Sequence, residues 1–187
     1  TTKAWRADRA AMVRCLEENA GRGYYRFDDF ADGGDVYTDA SKPGKGAAGG
    51  GYVLDTGFYH WWSFGSSASR RPIDWLEGKT VVLCLEDNGH CWGGQMVRFH
   101  IDNTSFQASA AKGWSHADRL NELLRELLFL TVKYNCILVY DWISTHDNVL
   151  ADPLSRFNES LFLERAASAA GTLRGPLVRH PDAGSRR

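Results

Sequence analysis

No stretch of this sequence is long and apolar enough to cross a bilayer: the longest apolar run, around Leu127 to Val132, falls far short of the roughly 20 residues a spanning helix needs. The N-terminus, Thr1-Thr2-Lys3-Ala4-Trp5, carries no signal-peptide apolar core. Cysteine is scarce, and Cys15, Cys84, Cys91 and Cys136 form neither a C-x-x-C pair nor a group with paired histidines, which argues against a zinc site and a disulfide framework. Reduced, mostly buried thiols are expected, and with them a soluble protein of an intracellular compartment, cytoplasmic or nuclear. An excess of positive charge is missing too. With 22 Lys and Arg against 23 Asp and Glu the net charge is −1, so a nucleic-acid partner would have to be held by a local basic patch. What is present is ordinary for a globular chain: 43% hydrophobic and 24% charged residues over 187 positions, room for one domain of roughly 100–150 residues with extensions.

Residues 4 to about 19 are rich in helix formers, and Trp5, Met12, Cys15, Leu16 and Asn19 can share one face of a helix that needs a partner to lie on. The aromatic and acidic text from Gly21 to Gly34 reads as a connector. Three strands follow: residues 35–41, then Ala47 to Leu54, then Phe58 to Phe64, joined by turn residues into an antiparallel meander. The glycines Gly49, Gly50 and Gly51 signal a bulge or the close approach of another backbone. Gly65 to Arg71 is a Ser-rich loop, and Ile73 to Asn88 a helix on which Ile73, Glu77, Val81, Cys84, Leu85 and Asn88 share a face. Gln95 to Asn103 is a strand ending in an acid, Thr104 to Ala111 a short helix capped by Thr104 or Ser105, and Ser115 to Tyr134 a helix apolar nearly all round at its centre. The continuous apolar run Cys136 to Ile143 predicts a strand buried on both faces. Val149 to about Ala170 reads as a last helix, and the breakers beyond Gly171 as a mobile tail.

The expected architecture is α/β: a mixed five-stranded sheet, three antiparallel meander strands plus two parallel ones beside the first, flanked by helices. The divisions are 1–34 for the N-terminal helix and connector, 35–157 for the central domain, and 158–187 for a C-terminal helix and tail. In this topology the ends of the first and fourth strands lie side by side, making Asp39 and Asp102 neighbours, with Glu77 reaching in from the first core helix and Asp152 from the last. Each acid also has a plainer reading: Asp39 starts a turn, Glu77 pairs with a neighbouring base, and Asp152 caps a helix that begins at Pro153. Gathered together, such carboxylates repel one another unless divalent cations sit between them. Two Mg²⁺ ions roughly 3.5–4 Å apart, held by oxygen ligands, suit phosphoryl transfer.

The motifs T-D-A-S at Thr38 to Ser41, I-x-W-L-E at Ile73 to Glu77, D-N at Asp102-Asn103 and N-x-x-A-D-x-L-S-R at Asn148 to Arg156 occur in that order. Together they resemble the RNase H domain of retrotransposon reverse transcriptases, of the DIRS and gypsy types, over about residues 35 to 157. The resemblance implies a ribonuclease H-like fold and a hydrolase: an endonuclease that cleaves the RNA strand of an RNA–DNA hybrid with two Mg²⁺ ions, for which Mn²⁺ can substitute, leaving a 5′-phosphate and a 3′-hydroxyl. It implies Asp39, Glu77, Asp102 and Asp152 as metal ligands, contacts to the hybrid backbone from Asn103, Ser41 and Thr104, and a partner reverse transcriptase domain upstream. Ten residues before Asp152, where many RNases H have a histidine that aids product release, this chain has Trp142; His146 on the same loop is the candidate to stand in, its plainer reading being a bystander on an exposed loop. Lys42, Lys45, Arg70, Arg71, Lys112 and Arg119 lie on loops or helix ends near the presumed open edge, and Trp114 can stack on a sugar or base. Trp142 and Pro153 keep open a binding module of the same fold without turnover. An integrase or transposase core would want a glutamate where Asp152 stands.

Overall fold

The computed structural model describes residues 2–19, 30–44, 47–169 and 171–181. Most of the expected connector, together with Lys45, lies outside them. Six strands form one sheet: β1 (Ala31–Gly44), β2 (Ala47–Leu54), β3 (Phe58–Ser63), β4 (Gln95–Ile101), β5 (Ile137–Trp142) and β6 (Val178–Arg179), in the spatial order β5-β4-β1-β2-β3-β6. The meander β1-β2-β3 is antiparallel, and β4 and β5 add to it in parallel beside β1, as the sequence predicts.

One face of the sheet carries Val36, Tyr52, Leu54, Val97, Phe99 and Ile101. It is covered by α3 (Ile73–Asn88), α4 (Thr104–Lys112) and α5 (Asp118–Tyr134), with the short α2 (Ser66–Ser69) forming inside the expected Ser-rich loop. α3 is buried almost all round, and a Cβ on Gly78 would lie 2.5 Å from the Phe106 ring, so this glycine lets α4 and α5 close on α3. The opposite face carries Val53 and Tyr59 under α6 (Ala151–Ser155) and α7 (Glu159–Ser168), with Leu150, Leu154 and Phe162 filling the space between. The glycines of β2 reflect close approach and not a bulge. A Cβ on Gly51 would come within 2.6 Å of Leu154 Cβ, and one on Gly49 would strike the carbonyl of Ser155, so α6 lies directly on bare backbone. The register shift falls instead in β1, between Ser41 and Gly44.

Several expectations are corrected. β5 is half-buried along its length and ends in an exposed Trp142, because it is the sheet's edge strand; an apolar run of strand length reads the same in both settings. α4 is capped by Asn103, whose Oδ1 accepts from the Phe106 N–H at 3.0 Å, and not by Thr104 or Ser105. The last helix is two: Phe157 adopts φ 62° and Asn158 caps α7 by accepting from the Leu161 N–H. The first of these begins at Ala151, so Asp152 is not its cap, and Pro153 sits in the first turn, where a missing N–H costs nothing. The supposed tail supplies the sixth strand: the Val178 and His180 amides donate to Gly57 O and Tyr59 O, and Arg174 pairs with the buried Asp55. On α1 (Lys3–Asn19) Trp5, Met12 and Leu16 of the expected apolar face are turned outward, Trp5 and Met12 being 50% and 67% exposed, and Cys15 is partly covered. The helix is held on α5 by Asp8 with Arg125 and by Arg14 stacked 3.5 Å over the Phe129 ring. The four cysteines are free; Cys84 and Cys136 are buried, whereas Cys91 is exposed.

Candidate metal centre

Parallel pairing of β1 with β4 stops at Thr38 and Ile101, so the residues that follow lie side by side where the two strands part: Asp102 just beyond the end of β4, and Asp39 inside β1, which runs on to Gly44 past the expected end at Ser41. Glu77 enters from the second turn of α3, its Oε1 accepting from the Ala40 N–H at 3.2 Å. Each of these three residues offers a carboxylate oxygen, and the three oxygens lie within 4.8 Å of one another. Asp39 and Glu77 are buried and Asp102 is half-buried. Hydroxyl groups hold two of the three: Ser155 Oγ donates to Asp39 Oδ2, and Thr145 Oγ1 to Asp102 Oδ2 at 2.9 Å. Trp142 also meets the cluster, its indole N–H donating to the Asp102 carbonyl at 3.2 Å.

Charge is crowded here. Burial pushes the Asp39 carboxyl up to about 7, and the negative charges of Asp102 and Asp152 push the same way, while the Ser155 hydroxyl and the Arg156 cation pull it down. Glu77 is raised well above the carboxylate range, by burial first and then by Asp39 and Asp102. Its Oε2 is buried without a donor. The neighbour on that side is the Asp102 carboxylate, which offers only acceptors, so this corner is satisfied by a proton or by a cation. An all-oxygen, partly buried, electron-rich donor set fits Mg²⁺ or Mn²⁺ and does not fit a thiophilic metal.

Asp152 stands beside this group without joining it. Its carboxylate is engaged by Arg156 at 2.7 Å and faces Arg165 at 3.8 Å. His146 is exposed on the loop that carries Thr145, and with Thr145, Asp152 and Arg165 it lines a cavity of about 540 Å³. Of the residues expected at a nucleic-acid backbone, Thr104 is exposed at the start of α4, Asn103 uses its side chain as the cap, and Ser41 is buried, its hydroxyl donating to Ser155 O at 2.8 Å. Lys42 and Arg70 are exposed, with Lys42 reaching the Arg71 carbonyl, and Arg71 lies 5.2 Å from the Trp75 ring. Trp114 is exposed and packed edge-on against His116, next to the exposed Lys112, whereas Arg119 is committed to Asp74 through two nitrogens.

The residues sequence reasoning passed over are Asn148, Ser155, Arg156, Arg165 and Thr145. The first three lay within the motif around Asp152: positions three and four beyond an acid share its helix face, which is how Ser155 and Arg156 come to the same place. Asn148 is fully buried and its amide donates to Thr38 O at 2.9 Å, tying the loop before α6 to β1. Thr145, an exposed loop residue, gave no such signal.

No protein-family model matches the chain, and no curated protein matches it. Solved structures do. The RNase H1 of the halophilic archaeon Halobacterium salinarum NRC-1 is 18% identical, with TM-score 0.54 over 67% of this chain and 96% of that one. The N-terminal RNase H domain of rv2228c from Mycobacterium tuberculosis, solved as a fusion with maltose binding protein, is 19% identical, with TM-score 0.53 over 73% and 99%. LC11-RNase H1 in complex with an RNA/DNA hybrid is 19% identical, with TM-score 0.55 over 71% and 98%. This chain therefore has the ribonuclease H-like fold, with additional residues beyond the extent of those domains.

Proposed function

We propose that this protein is a divalent-metal-dependent endoribonuclease that cleaves the RNA strand of an RNA–DNA hybrid. The observation that carries the reading is the convergence of Asp39, Glu77 and Asp102, from three separate elements, on one spot where Asp39 and Glu77 are buried and Glu77 Oε2 has no hydrogen-bond donor among the described residues. Supporting it, one protein of the same fold was solved holding an RNA/DNA hybrid. In this reading Asp39, Glu77 and Asp102 hold a first cation, and Asp152, released from Arg156, shares a second. Bound there, the ions would lower the pKa of an attacking water and stabilise the leaving oxygen. In this reading the chain's own contribution is to fix three carboxylates in register before substrate arrives, and the exposed Lys42, Arg70, Lys112 and Trp114 are offered to phosphates and to a sugar or base. Contacts to the 2′-hydroxyl distinguish the RNA strand.

The order of the motifs over residues 35–157 favours a retroelement origin, with a reverse transcriptase domain as the upstream partner. The test is a fluorescently labelled RNA–DNA hybrid with Mg²⁺: the wild type cleaves the RNA strand and Asp39→Asn does not, and no cleavage above that control refutes the proposal. One observation favours a second reading, a hybrid-binding module without turnover, namely the ion pairing of Asp152 with Arg156 and Arg165. Hybrid binding unaffected by chelator, with no product, is its signature.

A further inference from the structure

We propose that Ser155 is a positioning residue: from α6 it fixes the rotation of the Asp39 carboxylate and so sets which oxygen is presented to a cation. The inference rests on the metal-site reading above. Ser155 is fully buried, its hydroxyl donates to Asp39 Oδ2, and among the described residues it is the donor that reaches that carboxylate. Water has no access to replace it.

The neighbouring residues show what a packing role alone would look like. Ala151, Pro153 and Leu154 are as buried and carry no polar atom on their side chains, so the position tolerates apolar surroundings and the hydroxyl is there for a contact. Two acceptors lie in reach, Asp39 Oδ2 and the Asp152 carbonyl one turn back at 3.0 Å, but the hydroxyl has a single proton. A carboxylate is the stronger acceptor, so with Asp39 ionised the proton goes to Oδ2.

The placement of this turn is over-determined. Ser41, two residues beyond Asp39 on β1, donates to the Ser155 carbonyl at 2.8 Å. On β2, Gly51 pairs with Asp39 and Gly49 with Ser41, and a Cβ at either would collide with Leu154 or Ser155. Two bare positions and one strand-to-helix hydrogen bond therefore locate a single hydroxyl over a single carboxylate. Without a donor the Asp39 carboxylate is free to turn about its last bond, and freezing that rotation in advance is what a hydrogen-bonded outer partner contributes to a metal ligand.

The experiment is a calorimetric titration of the full chain with Mn²⁺ alone, with thermal melts in chelator beside it and no substrate present. Loss of an outer partner of this kind weakens metal binding about 10-fold or more, so Ser155→Ala should raise the Mn²⁺ dissociation constant by at least that factor, while Ser41→Ala, which removes the strand-to-helix bond but leaves the carboxylate contact, should stay within about twofold. A Ser155→Ala protein that binds Mn²⁺ as the wild type does overturns the positioning role and leaves the metal site standing. A wild type whose Mn²⁺ binding is absent, or unchanged by Asp39→Asn, overturns the metal-site reading and this inference with it.

Discussion

Asp39→Asn should stabilise the metal-free protein while destroying its response to metal. Asp39 is 3% exposed, and its carboxyl is raised from an ordinary 3.8 to about 7, chiefly by burial. A folded-state pKa above the unfolded one means that the folded protein holds the proton more tightly. The favourable contribution is complete below about pH 4, declines as pH rises, and is gone above about pH 7, where ionised Asp39 instead burdens the fold. Three pK units at about 1.4 kcal/mol each put the burden at up to about 4 kcal/mol at pH 8. Asparagine is neutral at every pH, keeps an oxygen to accept from Ser155, and avoids this cost. For a chain of this size about 2–4 °C accompanies each kcal/mol, so the variant should melt roughly 8–16 °C above wild type at pH 8 in chelator. The gap should shrink towards zero near pH 4, and Mn²⁺ should narrow it at pH 8 by raising the wild type alone. Circular-dichroism melts across pH 4–8, with and without Mn²⁺, measure all three. A variant that melts at or below the wild type at pH 8, or a gap that ignores pH, would refute the electrostatic account of the site.

His60, 1% exposed on β3 with neither ring nitrogen hydrogen-bonded, titrates in the opposite sense. Burial foremost, then His180 and Arg179, lowers it from 6.5 to about 4, so stability is full above about pH 6.5 and falls by up to about 3 kcal/mol as pH drops towards 4. His60→Leu should lose this acid limb in equilibrium denaturation, and an unchanged limb would mean that other groups cause it. Gly51→Ala places a methyl 2.6 Å from Leu154 Cβ and should cost about 1–3 kcal/mol, together with Mn²⁺ affinity, because α6 must lift. Gly44→Ala, with nothing within 4 Å, should be neutral within about 0.5 kcal/mol, and equal effects at the two sites in urea titrations would contradict the packing described for β2.

How far the sequence could be read follows from which signals are local. Asp39 and Asp102 are visible because turn chemistry follows a β-favouring run at each, although β1 runs on through that text to Gly44, and Glu77 stands out because it interrupts an apolar helical stripe. The juxtaposition of the two strand ends follows from the topology those elements allow. What stayed hidden depends on neighbours remote in the chain. Ile137 to Trp142, apolar but for Asp141, reads alike as an edge or a central strand, and its place at the border of the sheet is set by the strand order. Val178-Arg179 is too short to show a period and exists as strand because β3 leaves its outer backbone unpaired. The outward face of α1 misled because Ala7, Ala11 and Cys15, which with Glu18 are its partly covered residues, carry less apolar weight than the exposed Trp5, Met12 and Leu16. Within the site the acids were legible and the groups that hold them less so, since hydroxyls and amides are common everywhere and acquire meaning only from what they touch.

β6 has one further consequence. By covering the outer side of β3 with two residues, then His180, whose amide is spent on Tyr59 O, and Pro181, which has no amide hydrogen, the strap leaves that border of the sheet little to offer a passing backbone. Among the described residues the opposite border, β5, pairs with no further strand, although its Tyr140 carbonyl accepts from the Gln107 side chain at 2.7 Å. A polypeptide that docked onto this sheet by strand addition would therefore arrive along Ile137 to Trp142, and its end would abut the indole that touches Asp102.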